Sequence, residues 1–300
     1  MSSTGSRGTD RFPHEEHALY HQAMADASSA RILIGTSGYS YEDWVGPVYP
    51  AGTPKREFLP LYAGEFPIVE LNFSYYQQPS PRTLAGMIDA APKGFLFTLK
   101  AHRSMTHEIT DSWEKDISAF REGIRPLVEA RRLAAVLLQF PYSFAYTPES
   151  RRRLAELCAR LEGLPLAVEF RKRDWQKQSV EAGLRERGVA LVSVDEPDLP
   201  GLPAAADTAT ADLAYIRFHG RNAANWWTGD NASRYDYLYS LDELAQWTER
   251  VKAILARARL LLIFFNNHRR GQAVTNARQF GELLAQNHLL TRSGGENPLM

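Results

Sequence analysis

Hydrophobic positions in this chain are gathered into short runs of strand length, and eight of them recur from Arg31 onward: residues 31–37, 68–72, 95–102, 134–140, 166–171, 189–195, 213–220 and 260–267. The segments between them repeat apolar residues at three- and four-residue spacing, which predicts amphipathic helices. These helical segments are PRTLAGMIDAA, SWEKDISAFREGIRPLVEA, PESRRRLAELCARLEG, VEAGLRERG, LDELAQWTERVKAILARA and GQAVTNARQFGELLAQ. The interval after the sixth run, residues 197–211, is rich in Pro and Ala and predicts a degenerate helix. Eight strands alternating with helices over about 260 residues match the count and length of a single-domain α/β fold of the (β/α)8 TIM-barrel type. A doubly wound open sheet is the competing arrangement. The barrel domain is expected over residues 31–290. Residues 1–30 are expected to form a flexible tail or short helix, carrying His14, His17 and His21 as solvated side chains, and residues 291–300 a C-terminal tail.

Strands buried in a parallel sheet should stay apolar, so the polar residues at their C-terminal ends need a reason. Glu70 and Asn72, Lys100 and His102, Glu169 and Arg171, and Arg217 and His219 are pairs spaced by two, which turns both members to one face of their strand. Gln139, Asp195, Asn266 and Asn267 end three further strands. In a barrel these ends meet at the mouth, where this architecture places its active sites. The same charges can instead form a closed ion-pair network of purely structural value. A second cluster, His219, Arg221, Asn267 and the helix start near Gly271, has the cations and free N–H groups that favour an anion. Aromatic residues crowd the loops, among them Tyr39, Tyr41, Trp44, Tyr75, Tyr76, Trp175, Trp226, Trp227 and Tyr235; they suit either a stacking wall or a hydrophobic lid.

Composition removes several classes of function. The chain has 300 residues with 35 basic and 35 acidic side chains, so no global field draws in nucleic acid or a membrane. The longest purely apolar stretches are far below the roughly 20 residues of a membrane span, and no apolar signal segment opens the chain, which predicts a soluble, cytoplasmic protein. The single cysteine, Cys158, excludes an internal disulfide and reads as a packed thiol. Motifs for P-loop hydrolysis, dinucleotide-dependent redox chemistry, the GxSxG serine elbow and HExxH zinc sites are all missing from the sequence.

Eight ordered phrases then carry a resemblance: GTSGYSYEDWVGPVYP, FLPLYAGEFPIVELNFSYY, FLFTLKAHRSMTH, LLQFP, AVEFR followed by Trp175, YIRFHGR, RYDYLYSLDEL and FFNNHRRGQAVTNA. Together, over roughly Arg31 to Leu284, they resemble the YecE-like family, domain of unknown function 72. The resemblance implies a TIM-barrel-like fold with a polar pocket at the strand ends and no defined reaction. Its recurring pocket residues correspond to Trp44, Glu70, Asn72, Tyr76, Lys100, Gln139, Glu169, Arg171, Trp175, Asp195, Arg217, His219, Asn266 and Asn267. Lys172-Arg173-Asp174-Trp175 replaces an expected His-Pro-Ser-Trp, and Phe73-Ser74-Tyr75-Tyr76 alters the usual Thr-Phe-Tyr.

Three functional readings follow. In the first, the mouth binds or acts on a small polar ligand bearing phosphate or carboxylate, without a cofactor. Glu70 or Glu169 is then the acid or base, Lys100 and His219 polarise or protonate, and Arg171, Arg217 and Arg221 hold the anion. In the second, Glu169, Asp195 and His219 ligate a metal of a hydrolase, isomerase or nuclease-like barrel, against which the neighbouring cations argue. In the third, aromatic loops with Arg221, Arg269 and Arg270 grip a nucleotide or nucleic acid, which zero net charge disfavours. Oligomeric state is open.

Overall fold

The structure, a computed structural model, describes residues 30–108 and 110–290; both expected tails lie outside these residues. Eight parallel strands, β1 (Arg31–Thr36), β2 (Ile68–Leu71), β3 (Leu96–Lys100), β4 (Leu133–Phe140), β5 (Leu166–Phe170), β6 (Ala190–Asp195), β7 (Leu213–Phe218) and β8 (Leu260–Phe265), follow the order β1-β8-β7-β6-β5-β4-β3-β2. The fold is a single-domain (β/α)8 TIM-barrel-like architecture, in which β1 and β2 approach each other to close the ring.

That closure is made by particular side chains. Ser37 pairs with Glu70 as an isolated parallel bridge, and the Gly38 N–H donates to the Glu70 carbonyl at 2.8 Å. Below this point the phenol of Tyr62 stands between the strands, accepting from the Thr36 N–H at 2.8 Å and donating to the Ile68 carbonyl at 3.1 Å. Gly35 permits this fit: a Cβ there would lie 2.2 Å from the Ile68 carbonyl oxygen. One tyrosine thus satisfies two backbone groups that the missing ladder would have left bare.

Helices form where the sequence both starts and faces them. Helix Pro81–Ala90 begins at Ser80, whose hydroxyl accepts from the Thr83 N–H, and helix Pro148–Arg160 begins at Thr147, which caps Ser150 likewise. Ser240 and Glu243 form a reciprocal capping box at Leu241–Ala245. The long segment LDELAQWTERVKAILARA is broken at Gln246 into two helices, Leu241–Ala245 and Trp247–Leu255. Residues 197–211 contain no helix, as their Pro and Ala content predicts. An additional helix, Phe58–Ala63, which strand periodicity did not reveal, carries Tyr62 to the seam.

Two apolar layers result. Inside the barrel lie alternate strand residues such as Leu33, Leu137, Ala167, Val194, Tyr215 and Phe264, while the opposite faces pack against the helices. Among the described residues no helix is long and apolar enough to cross a membrane. Cys158 is buried, and burial pushes its thiol up to about 11, consistent with inert packing.

Candidate functional site

The inward alternation of each strand continues past its apolar portion into polar side chains. On β7, Tyr215 is followed inward by Arg217 and His219; on β5, Ala167 is followed by Glu169 and Arg171. The lowest polar layer is an ion-pair lattice. Arg217 grips Glu70 with both ends of its guanidinium, Nε to Oε2 at 2.9 Å and Nη2 to Oε1 at 2.6 Å, and donates Nη1 to Glu169 Oε2 at 2.7 Å. The Tyr215 hydroxyl adds a 2.6 Å bond to Glu70, and Thr98 lies 3.2 Å from that hydroxyl. Glu70 and Glu169 are fully buried and Arg217 nearly so. This lattice is bidentate, shared and buried, but it takes in neither Asp195 nor Lys100, so the closed network of all these charges does not form.

Above the lattice, Arg171 Nε lies 2.6 Å from Glu169 Oε1 without the alignment of a hydrogen bond, and Arg171 Nη1 donates to Glu196 at 3.2 Å. Burial opposes ionisation of Glu169, but the guanidiniums of Arg171 and Arg217 prevail and hold its carboxyl well below the usual range. Glu196 behaves oppositely. Burial outweighs its contact with Arg171 and, with the nearby Glu169 and Asp195 carboxylates, pushes its carboxyl up to about 8. His219 stands 3.4 Å from Glu169 through Nε2, and Asn266 Nδ2 lies 3.1 Å from its Nδ1. An amide nitrogen can only donate, so with this amide placement Nδ1 accepts and the proton sits on Nε2. Burial, then Arg171, lowers the imidazole to about 3, so His219 is neutral at physiological pH.

Lys100 differs from these neighbours. Its Nζ donates to Gln139 Oε1 at 2.6 Å and rests 4.0 Å from the centre of the Tyr75 ring, and among the described residues no carboxylate pairs with it. Burial first, and the charges of Arg217 and Arg171 next, bring its amine down to about 7. His107, beside Tyr75, is lowered to about 4 by burial and by Lys100.

Over this floor opens a cleft of about 920 Å³. Asn72, Tyr76, Lys100, Gln139, Arg171, Arg217 and Asn266 line it, so these expected residues do come together, with Glu70, Glu169 and His219 beneath. Loop aromatics make the walls: Tyr39, Tyr41, Tyr75, Tyr142, Trp226, Trp227 and Tyr235. Tyr41 stacks on His268 at 4.5 Å, and Arg171 lies 5.8 Å from the Trp226 ring centre.

Five expected ligand-binding residues lie elsewhere. Asp195 points outward from β6 and accepts from Arg221 twice (2.9 and 2.7 Å), from Tyr239 at 2.7 Å and from Trp247 at 2.7 Å. Inward Val192 and Val194 set the phase of β6, so Glu196 is the residue that continues toward the cleft. Arg221 is correspondingly committed to Asp195. Asn267 also faces the helices, donating to the Tyr237 carbonyl and to Asn276 at 2.8 Å each. Trp44 and Trp175 are buried wedges whose indole N–H groups bond the carbonyls of His268 at 2.6 Å and Phe144 at 2.7 Å. The expected anion corner near Gly271 is occupied from within: the Arg270 N–H donates to Asp43 at 2.7 Å, and Arg269 and Arg270 reach Asp236 at 3.2 and 3.3 Å.

Because Asp195 turns away, the ligand trio Glu169, Asp195 and His219 does not assemble. Among the described residues no three His, Cys, Asp or Glu side chains are grouped to hold a metal ion. Glu196, His107, Tyr142 and Arg234 were missed from the sequence. For Glu196 the signal existed in the alternation Val192-Ser193-Val194; His107 and Tyr142 stand on turns and Arg234 ends the four-residue helix Asn231–Arg234, all too short for periodicity to speak.

The family model described as "Protein of unknown function DUF72" matches residues 33–298. The UPF0759 protein YunF of Bacillus subtilis (strain 168) is 30% identical over 269 residues, covering 84% of this chain and 94% of that protein. A crystal structure of a DUF72 family protein from Thermotoga maritima aligns with a TM-score of 0.79 and 42% identity over 85% of this chain and 99% of that one. Another, from Enterococcus faecalis, aligns at 0.77 with 29% identity, over 90% and 99%. The matches run through the strands that carry the cleft, and on them the chain belongs to the DUF72 family.

Proposed function

We propose that the C-terminal mouth of this barrel binds a small ligand bearing a carboxylate or phosphate. The observation that carries this reading is the charge state of the floor. Arg171 and Arg217 are balanced by Glu70 and Glu169, while Lys100 faces the cleft with an amide and a ring for partners and, among the described residues, no carboxylate. An anion entering the cleft supplies the counter-charge that Lys100 lacks, with Gln139 and Asn72 offering polar contacts at the same level. The aromatic walls then cover the rest of the ligand.

Glu70 and Glu169 are poor candidates for general acid or base work, because every oxygen of Glu70 is engaged and Glu169 is held strongly ionised. Their part is to fix the two guanidiniums. The anion-binding share is carried by Arg171, Arg217 and Lys100, and polar orientation by Asn72, Gln139 and Asn266.

Isothermal titration with phosphate and with glycolate tests the reading. Binding of an anion draws Lys100 toward its charged form, so the affinity for glycolate, a monoanion throughout this range, is expected to fall about tenfold or more from pH 6 to pH 8.5, as the amine loses its proton near 7. Lys100→Met should remove that pH dependence. No detectable binding of either anion at pH 6 would sink the proposal.

A further inference from the structure

We propose that Lys100 is an amine nucleophile which takes the carbonyl carbon of a small oxo acid into an imine. This rests on the anion-binding reading above and names a substrate class for the same site. Lys100 ends β3 at the base of the cleft, and its Nζ is held by Gln139 Oε1 at 2.6 Å and by the face of Tyr75. Both partners orient the nitrogen without fixing a positive charge on it as a carboxylate would. The acid-binding guanidiniums line the same cleft. An oxo acid has an anionic group and an electrophilic carbonyl on adjacent carbons, so it is a ligand that engages both features at once.

The step balances without a further reagent. The amine nitrogen attacks the carbonyl carbon as the C=O π pair moves to oxygen, and one N–H proton passes to that oxygen to give the carbinolamine. The nitrogen pair then forms C=N, the C–O bond breaks, and the second amine proton leaves with the hydroxyl as water. Two conditions favour it. An amine lowered to about 7 is substantially neutral at physiological pH, and the ring of Tyr75 keeps one side of the nitrogen dry. Seating the acid raises the charged fraction of Lys100, so attack proceeds from the neutral fraction that remains, which burial, the largest cause of the lowered value, keeps populated.

The test is reductive trapping on the full chain. Glyoxylate and cyanoborohydride at pH 7 convert an imine at Lys100 into carboxymethyl-lysine, located by peptide mass mapping. Lys55, exposed at the surface, is the internal standard. Lys100 is expected to be modified at least about tenfold faster than Lys55, with no adduct at that position in Lys100→Arg, which keeps the positive charge. Glycolate, an acid without the carbonyl, should protect Lys100. An adduct at Lys100 that glycolate does not suppress upholds the nucleophile and overturns the anion reading. Binding of glycolate by calorimetry with Lys100 modified no faster than Lys55 overturns the imine proposal and leaves the anion reading standing. Neither binding nor preferential modification overturns both.

Discussion

Partly buried and, among the described residues, without a carboxylate partner, Lys100 works against folding. In the folded protein its amine is brought down to about 7 by burial and by Arg217 and Arg171, against an ordinary 10.5 in the unfolded chain. Between these values the unfolded chain holds more protons, so stability rises with pH across that window; below it the unfavourable contribution is present in full. Glu196, with a carboxyl pushed up to about 8, gives the opposite slope at lower pH, which leaves about pH 8 to 9.5 as the interval in which Lys100 dominates. Lys100→Met is therefore expected to raise the urea midpoint at pH 7 and to flatten the rise in stability between pH 8 and 9.5. Loss of stability at pH 7, with the slope retained, would show that the lysine is paired in solution. A residue that destabilises the fold and faces a cleft is a candidate for function on physical grounds, because a purely structural core has no use for it.

Among the elements, the seam between β1 and β2 depends most on a single side chain. Every other neighbouring pair of strands is joined by a parallel ladder, but here the Tyr62 hydroxyl stands in for two backbone groups, and its ring stacks on Phe66 at 5.1 Å. Tyr62→Phe keeps the ring and removes the hydroxyl, leaving the Thr36 N–H and the Ile68 carbonyl buried without it. A loss of about 1–3 kcal/mol in urea denaturation is expected. A change below a few tenths of a kcal/mol would mean that water or a shifted strand closes the seam. The element that supplies this tyrosine, helix Phe58–Ala63, is too short for its periodicity to stand out in sequence, whereas helices Trp113–Glu129 and Gln272–Gln286 were legible from pattern alone.

Across the whole molecule, polar side chains at the mouth divide into an inner set that faces the cleft and an outer set that ties loops and helices to the barrel. Asp195 is the hub of the outer set, joining Arg221 and Tyr239 after β7 to Trp247 on the following helix. Removing its charge breaks bonds in the scaffold and none in the cleft. Asp195→Asn is expected to lower stability by about 2–3 kcal/mol, through the loss of charge-assisted bonds and a mismatched donor facing Tyr239 and Trp247. Phosphate affinity of the folded protein, measured by titration, should be unchanged. Arg221→Ala should likewise leave phosphate affinity within experimental error. Weakened binding in either variant, with the fold intact, would return this cluster to the site.

The sequence by itself determined the architecture and much of the site. Eight buried runs at regular intervals leave few folds other than a closed parallel barrel, and spacing by two placed Glu70 with Asn72, Glu169 with Arg171, and Arg217 with His219 on common strand faces. Those inferences succeed because strand alternation is local: each side chain's face follows from its neighbour two residues away. Tertiary structure alone decided which face looked inward where burial on both sides erased the alternation, as in LLLIFF before Asn266 and Asn267. It also decided pairing. Equal numbers of carboxylates and cations are compatible with a fully neutralised lattice, and the sequence does not say that Arg217 takes both Glu70 and a share of Glu169 while Lys100 takes neither. The cause is range: contacts between β2, β3, β5 and β7 across the barrel depend on strand stagger and loop course, and no short-range pattern encodes either.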